Sequence, residues 1–161
     1  MDTVLSGTTV YEEHQSFRVL IVIAAVAGAG LILTAAVAGA GFGQMAPQDK
    51  LSAAFAVLLV VAALWGFSRL NTIVSTTELR FGFPVWHRRV ALGKVTVGEV
   101  TKIPLWYGIG LHYVGGLWVY NARLGRGVIV VVDGRRYLIG SETPERLQAA
   151  LLQVAARRDK V

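Results

Sequence analysis

The chain has 161 residues, enough for one domain or for a small domain with an anchor. Charged residues make up only 16%, against about 25% in an ordinary soluble domain, and the absence of cysteine excludes disulfides, iron–sulfur clusters and thiol chemistry. Residues 68–161 carry 14 lysines and arginines against 6 carboxylates, a net charge of +8, whereas residues 1–67 carry −2. Such a basic segment predicts an anionic partner. We expect a membrane lipid here and no nucleic acid, because two long apolar runs precede it.

The first apolar run covers residues 19–43 and contains no charged side chain. A bilayer core needs roughly 20 apolar residues in a helix, so we predict a transmembrane helix over 19–43. A polar loop at 44–50 and a second helix over 51–68 complete a hairpin. A signal peptide is rejected because its apolar region spans only about 7–15 residues, and because Asp2, Glu12 and Glu13 stand where a positive region is expected.

Positive residues lie mainly at the outer ends of the predicted hairpin. Arg18, Arg69 and Arg80 flank it, whereas Lys50 is alone in the loop. The positive-inside bias therefore places both termini, including the N-terminal segment 1–18, in the cytoplasm. Arginine outnumbers lysine by 12 to 4, which suggests a bacterial genome. The predicted location is the bacterial inner membrane, in a multi-pass protein with two spans and an external loop.

Small residues at four-residue spacing characterise both predicted helices, and such spacing lets helices approach closely. The candidate packing positions are Gly28, Gly39, Ala62 and Gly66. The two helices could pack on each other, or these faces could hold a second copy or a partner helix. Neither span contains an ionisable residue, which favours an anchor over a transporter.

After a linker at 69–76, residues 77–157 form the predicted domain, and 158–161 are a basic tail. Apolar alternation and β-branched runs predict about seven strands. Asp133 and Gly134 predict a type I′ hairpin turn. Thr143 is a good N-cap and Pro144 a good first helical residue, so a C-terminal helix is expected to cover the sheet. The predicted strands lie within 77–81, 85–92, 94–103, 105–113, 117–121, 128–132 and 136–140.

Several motifs in this region resemble those of bacterial pleckstrin-homology-like (PH-like) domain membrane proteins, which often carry two N-terminal spans. The resembling segments are ELRF at 78–81, HRRVAL at 87–92, PLWYGIG at 104–110, GVIVVVDGRRYLIGS at 127–141 and TPERL at 143–147. The resemblance implies a mainly-β PH-like barrel of about seven strands closed by one C-terminal α-helix, behind a membrane α-helical hairpin. It implies a membrane setting and no particular reaction.

Residues for catalysis are hard to find in this sequence. His14, His87 and His112 are far apart and lack a metal-binding spacing, so we expect no metal or other cofactor. Asp133 and Glu145 are explained by a turn and by a helix start. We therefore expect no catalytic residues and no enzyme. A lipid-acting enzyme is a weaker hypothesis, since its polar cluster would have to assemble from distant strands.

The sharper candidates are four basic residues, Arg88, Arg89, Lys94 and Lys102, which could contact an anionic lipid or a protein partner. The alternative is that they are solvated charges beside a membrane. Trp86 and Trp106 could sit at headgroup depth or in the core. The first hypothesis is a non-enzymatic, membrane-anchored PH-like module that docks a protein partner or anionic lipid at the cytoplasmic face. The alternative is an accessory or assembly subunit of a larger membrane protein complex.

Overall fold

A computed structural model of the protein describes residues 8–16 and 65–158, together with the single positions 28, 46, 48, 51, 55, 58, 59 and 62. The chain divides into two compact units, one made of residues 1–16 with 69–161 and the other of residues 17–68. The first unit is mostly β. Its described elements are the strands β1 (Thr9–Ser16), β2 (Arg69–Ser75), β3 (Glu78–Phe83), β4 (Trp86–Ala91), β5 (Val95–Ile103), β6 (Gly110–Val114), β7 (Leu117–Asn121), β8 (Gly125–Val132) and β9 (Arg135–Ser141), and the helix α1 (Pro144–Arg158).

The strands form two sheets. The first has the order β1-β2-β3-β4 and is antiparallel throughout, and the second has the order β5-β8-β9-β7-β6. In the second sheet only β7 and β9 run parallel. The turn between β8 and β9 is the predicted one: Asp133 and Gly134 have φ values of 48° and 77°, as a type I′ turn requires.

Strand β1 belongs to the first sheet although residues 17–68 separate it from β2 in the chain. Gln15 lies opposite Leu70 and Ser16 opposite Arg69, so the chain leaves the sheet and returns to it at adjacent positions. Segments interpreted from the sequence as an N-terminal tail and a linker thus supply two paired strands.

Aromatic side chains from both sheets meet in the core. The ring of Phe81 on β3 lies edge-on to Tyr120 of β7 and to Tyr137 of β9, with centroid distances of 5.1 and 5.6 Å. Phe83 stacks on Tyr120 at 6.2 Å. Such contacts add to the free energy gained from burying the rings, and they hold the inner faces of the two sheets together.

The predicted C-terminal helix is confirmed. The carbonyl of Thr143 accepts hydrogen bonds from the backbone N–H groups of Arg146 and Leu147, so α1 starts where the N-cap pattern places it. Leu147, Leu151 and Val154 are buried along one face, and the helix packs mainly on β5 and β8.

The prediction of a membrane hairpin is corrected by the structure. No helix among the described residues is long and apolar enough to cross a membrane. Two spans over 19–43 and 51–68 are therefore not supported, nor is the multi-pass inner-membrane location with cytoplasmic termini that depended on them. Most residues of both segments lie outside the described part of the chain. A membrane span requires both an apolar composition and a helix of about 20 residues, and the sequence pattern tests only the first requirement.

The predicted PH-like barrel is also wrong. The nine described strands form two separate sheets, and no pairing between β4 and β5 or between β1 and β6 closes them into a barrel. The chain passes from the first sheet to the second through a short 3-10 turn, Leu92–Lys94, whose Leu92 is buried. This turn redirects the backbone, so β5 pairs with β8 instead of continuing the first sheet.

Candidate functional site

The two adjacent arginines of β4 point to opposite faces of the first sheet. Successive side chains of a strand alternate between faces. Arg88 lies opposite Phe81, which faces the core, whereas Arg89 lies opposite Arg80 on the outer face. The basic segment predicted as one patch is therefore divided between two environments.

The outer face of the first sheet carries a cavity of about 180 Å³, which we call the outer-face pocket. Its polar lining residues are Asn71 on β2, Arg80 on β3, and His87 and Arg89 on β4. Gly82, also in the lining, has φ +134°, and a Cβ there would lie 2.4 Å from the carbonyl oxygen of Trp86. Glycine thus allows β3 and β4 to approach closely where the pocket forms.

The outer-face pocket keeps an excess of positive charge. Arg80 forms an ion pair with Glu78 on the same strand, but Arg89 has no hydrogen-bond or ion-pair partner among the described residues. Asn71 is oriented by His14, whose Nδ1 lies 2.7 Å from the Asn71 side-chain oxygen. His14 also pairs with Glu12 at 2.9 Å. Among the described residues, the lining holds two guanidinium groups and an imidazole but no carboxylate, and the Glu78 that pairs with Arg80 lies outside it.

Arg88 instead lies at the junction of the two sheets. Its guanidinium carbon is 5.2 Å from the ring centre of Tyr137, a cation–π contact. Its Nε atom and the Tyr120 hydroxyl are both buried without a hydrogen-bond partner among the described residues. Burial raises the pKa of Tyr120, and the neighbouring Arg88 partly offsets this rise because a positive charge stabilises the phenolate.

The other two predicted contact residues lie elsewhere. Lys94 is 3.6 Å from Asp133 at the β8–β9 turn. Lys102 is exposed on β5 opposite Arg126, which pairs with Glu145. Trp86 and Trp106 are exposed rather than part of the core. The structure therefore does not gather Arg88, Arg89, Lys94 and Lys102 into one patch, and their role in binding stays a prediction.

The predicted helix-packing positions are only partly described. Gly28 and Ala62 are helical and exposed, and Gly66 is helical and buried. Gly39 lies outside the described residues. A Cβ added at Gly28 would meet nothing within 4 Å, so the described residues supply no helix that packs there.

A second polar cluster joins β1 to the start of α1, and Glu13 is its centre. The Glu13 carboxylate accepts hydrogen bonds from the Tyr11 hydroxyl, from Ser141 Oγ at 2.6 Å and from Gln15 Nε2 at 2.6 Å. The backbone N–H of Glu142 donates a fourth at 2.7 Å. Because two of these donors belong to Ser141 and Glu142, the Glu13 carboxylate links β1 to the end of β9 in the second sheet.

Sequence reasoning missed Arg80, His87 and Asn71 as parts of one site. The available signal was the alternation along β3 and β4, because Arg80 and Arg89 must share a face once the register is known. Asn71 lay in the segment interpreted as a linker. No group of three or more histidine or acidic side chains in the described part of the chain could hold a metal ion. Comparisons with protein-family models, curated proteins and solved structures find no match.

Proposed function

We propose that the β-rich unit is a non-enzymatic binding module whose ligand carries a phosphate group, held in the outer-face pocket. The observation that carries this proposal is the convergence of Arg80, His87 and Arg89 on one cavity of about 180 Å³, with Arg89 free of an ion-pair partner among the described residues. A guanidinium presents several N–H donors in a planar fork that fits two phosphate oxygens at once.

The size of the outer-face pocket limits what it binds. Sites for whole small molecules usually span about 300–1,000 Å³, so this cavity fits a phosphate and its nearest atoms. A lipid headgroup and a free phosphate ester share this chemistry. Arg80 would contact the phosphate while still paired with Glu78. Arg89 would contact the phosphate with a charge that no carboxylate among the described residues neutralises. Because both guanidinium groups are solvated, inorganic phosphate is expected to bind weakly, with a Kd of about 1 mM at low salt.

The test is an NMR titration of the full-length protein with inorganic phosphate, with glycerol phosphate, and with vesicles containing or lacking phosphatidic acid. We expect both soluble anions to shift the amide signals of Gly82 and Arg89 in a saturable way. Preference for phosphatidic acid vesicles would identify a lipid headgroup as the source of the phosphate, and preference for glycerol phosphate a soluble ester.

Two arginine variants make this titration decisive. Arg89→Gln removes the unpaired charge and should weaken binding about 10-fold, the effect of losing one charge-assisted hydrogen bond. Arg123→Gln is the control, because Arg123 is exposed and pairs with Glu142 at 2.7 Å, away from the outer-face pocket. Equal affinity of the two variants for glycerol phosphate would refute the proposal.

A second candidate function, a subunit of a larger assembly, is favoured by a different observation. The 3-10 turn Leu105–Tyr107 leaves Leu105 71% and Trp106 83% exposed. Exposed tryptophan is typical of residues that dominate protein interfaces. Sedimentation of full-length protein with and without Trp106→Ser tests this idea. Loss of self-association or of co-purifying chains in the variant supports it, and identical profiles contradict it.

A further inference from the structure

An aromatic pair lies on the hairpin formed by β6 and β7, apart from the outer-face pocket. Tyr113 and Trp118 are directly opposite each other in the strand register, and their ring centres are 4.9 Å apart at an angle of 47°. Tyr113 remains 61% exposed. Two rings in this arrangement support the hairpin, but they also leave π surface in contact with solvent.

These rings line a cavity of about 310 Å³, which we call the aromatic cleft, together with Gly116 and Arg135. The parallel pairing of β7 with β9 explains how Arg135 reaches it. Leu117 lies opposite Arg136, and Trp118 lies opposite Tyr137, so the β8–β9 hairpin runs beside the β6–β7 hairpin. Gly116 has nothing within 4 Å of the position of a Cβ, which keeps this side of the cleft open.

The charge in the aromatic cleft is positive. Arg135 is exposed and has no ion-pair partner among the described residues, and the nearest acid in sequence, Asp133, contacts Lys94 instead. Adjacent aromatic faces bind planar rings by stacking, which contributes roughly 1–3 kcal/mol for a nucleobase. A guanidinium beside them adds an anion contact. The cavity volume lies at the lower end of the range for small-molecule sites.

We propose that the aromatic cleft is a second binding site, for a small ligand that joins a planar heteroaromatic ring to a phosphate, as a nucleoside monophosphate does. The ring stacks on Tyr113 and Trp118, and the phosphate contacts Arg135. This site is independent of the phosphate proposed for the outer-face pocket, because the two cavities share no lining residue.

The test measures binding of adenosine monophosphate to the full-length protein, observed through the indole N–H signal of Trp118. Adenosine and inorganic phosphate are titrated separately to divide the stacking contribution from the charge contribution. We expect saturable binding of the monophosphate and at least about 5-fold weaker binding of adenosine. Arg89→Gln should leave the affinity read from the Trp118 signal unchanged, because Arg89 does not line the aromatic cleft, and this separates the two sites.

Four substitutions then locate the ligand, two of them as controls. Tyr113→Ala should weaken binding about 5-fold or more, whereas Tyr113→Phe keeps the ring and should bind as the parent does. Arg135→Gln should weaken the monophosphate but not adenosine. Arg136→Gln is the matched control, because its side chain lies on the opposite face of β9. No saturable binding below about 10 mM, or equal losses in Arg135→Gln and Arg136→Gln, would overturn the proposal.

Discussion

Replacing Glu13 with alanine should destabilise the β-rich unit more than any neighbouring substitution on β1. The Glu13 carboxylate is half-buried and accepts four hydrogen bonds, from Tyr11, Gln15, Ser141 and the backbone of Glu142. A hydrogen bond to a charged group contributes about 1.5–3 kcal/mol. These four share one carboxylate that is partly solvated, so their effects do not add. We expect a loss of about 2–4 kcal/mol in the free energy of unfolding.

Urea denaturation followed by tryptophan fluorescence measures this loss. With a typical urea dependence of about 1–3 kcal/mol per molar, the midpoint for Glu13→Ala should fall by roughly 0.7–4 M. Glu12→Ala is the matched control, because the Glu12 side chain is 51% exposed and, among the described residues, its carboxylate pairs only with His14. Its effect should stay within about 0.5 kcal/mol. Equal stability of the two variants would show that the hydrogen bonds of Glu13 do not stabilise the attachment of β1 to the second sheet.

A double-mutant cycle separates the Glu13–Ser141 contact from the rest of the cluster. Ser141 Oγ donates to Glu13 at 2.6 Å and accepts the backbone N–H of Thr143 at 3.0 Å. Ser141→Ala alone should therefore cost free energy, and in a Glu13→Ala background it should cost about 1 kcal/mol less. Strict additivity of the two substitutions would show that this hydrogen bond contributes nothing to stability.

Three further predictions test the fold. Tyr120→Phe removes a buried hydroxyl that has no hydrogen-bond partner among the described residues. The free energy of unfolding should therefore stay unchanged or rise by up to about 1 kcal/mol. A loss of more than about 1 kcal/mol in urea denaturation would contradict this expectation. Burial raises the pKa of Tyr11 and of Tyr120 above the ordinary value of about 10. As the pH rises above about 10, these tyrosines lose their protons more readily in the unfolded chain than in the folded one, so thermal stability should fall. Tyr11→Phe should reduce this fall. A melting temperature of the parent protein that does not change with pH would refute the prediction. Gly127→Ala places a Cβ 2.4 Å from the carbonyl oxygen of Ile139 and should lower the free energy of unfolding by about 2 kcal/mol or more. Gly115→Ala meets open space but has φ +56°, so it should cost about 1 kcal/mol. The reverse order of melting temperatures would show that backbone strain outweighs the clash.

Much of the second sheet could be predicted because its signals are local. The β-branched run in β8 and the Asp133–Gly134 turn depend only on neighbouring residues, and the N-cap at Thr143 sets the start of α1 in the same way. By contrast, the N-terminal strand carries Glu12, Glu13 and His14, and nothing local marks it as part of a sheet. Its pairing with β2 is a contact between residues more than 50 positions apart, which no short window of sequence contains.

The candidate sites show the same division. The sequence by itself determined the excess of arginine in the C-terminal part of the chain, the positions of its hairpin turn and helix, and the expectation of an anionic ligand. Only the tertiary structure decided that Arg89 joins Arg80 and His87 around a pocket while Arg88 packs against Tyr137 in the core. It also decided that Tyr113, Trp118 and Arg135 line one cleft. The reason is geometric: alternation along a strand assigns faces only after the register between strands is fixed. That register follows from long-range packing rather than from the residues of any single strand.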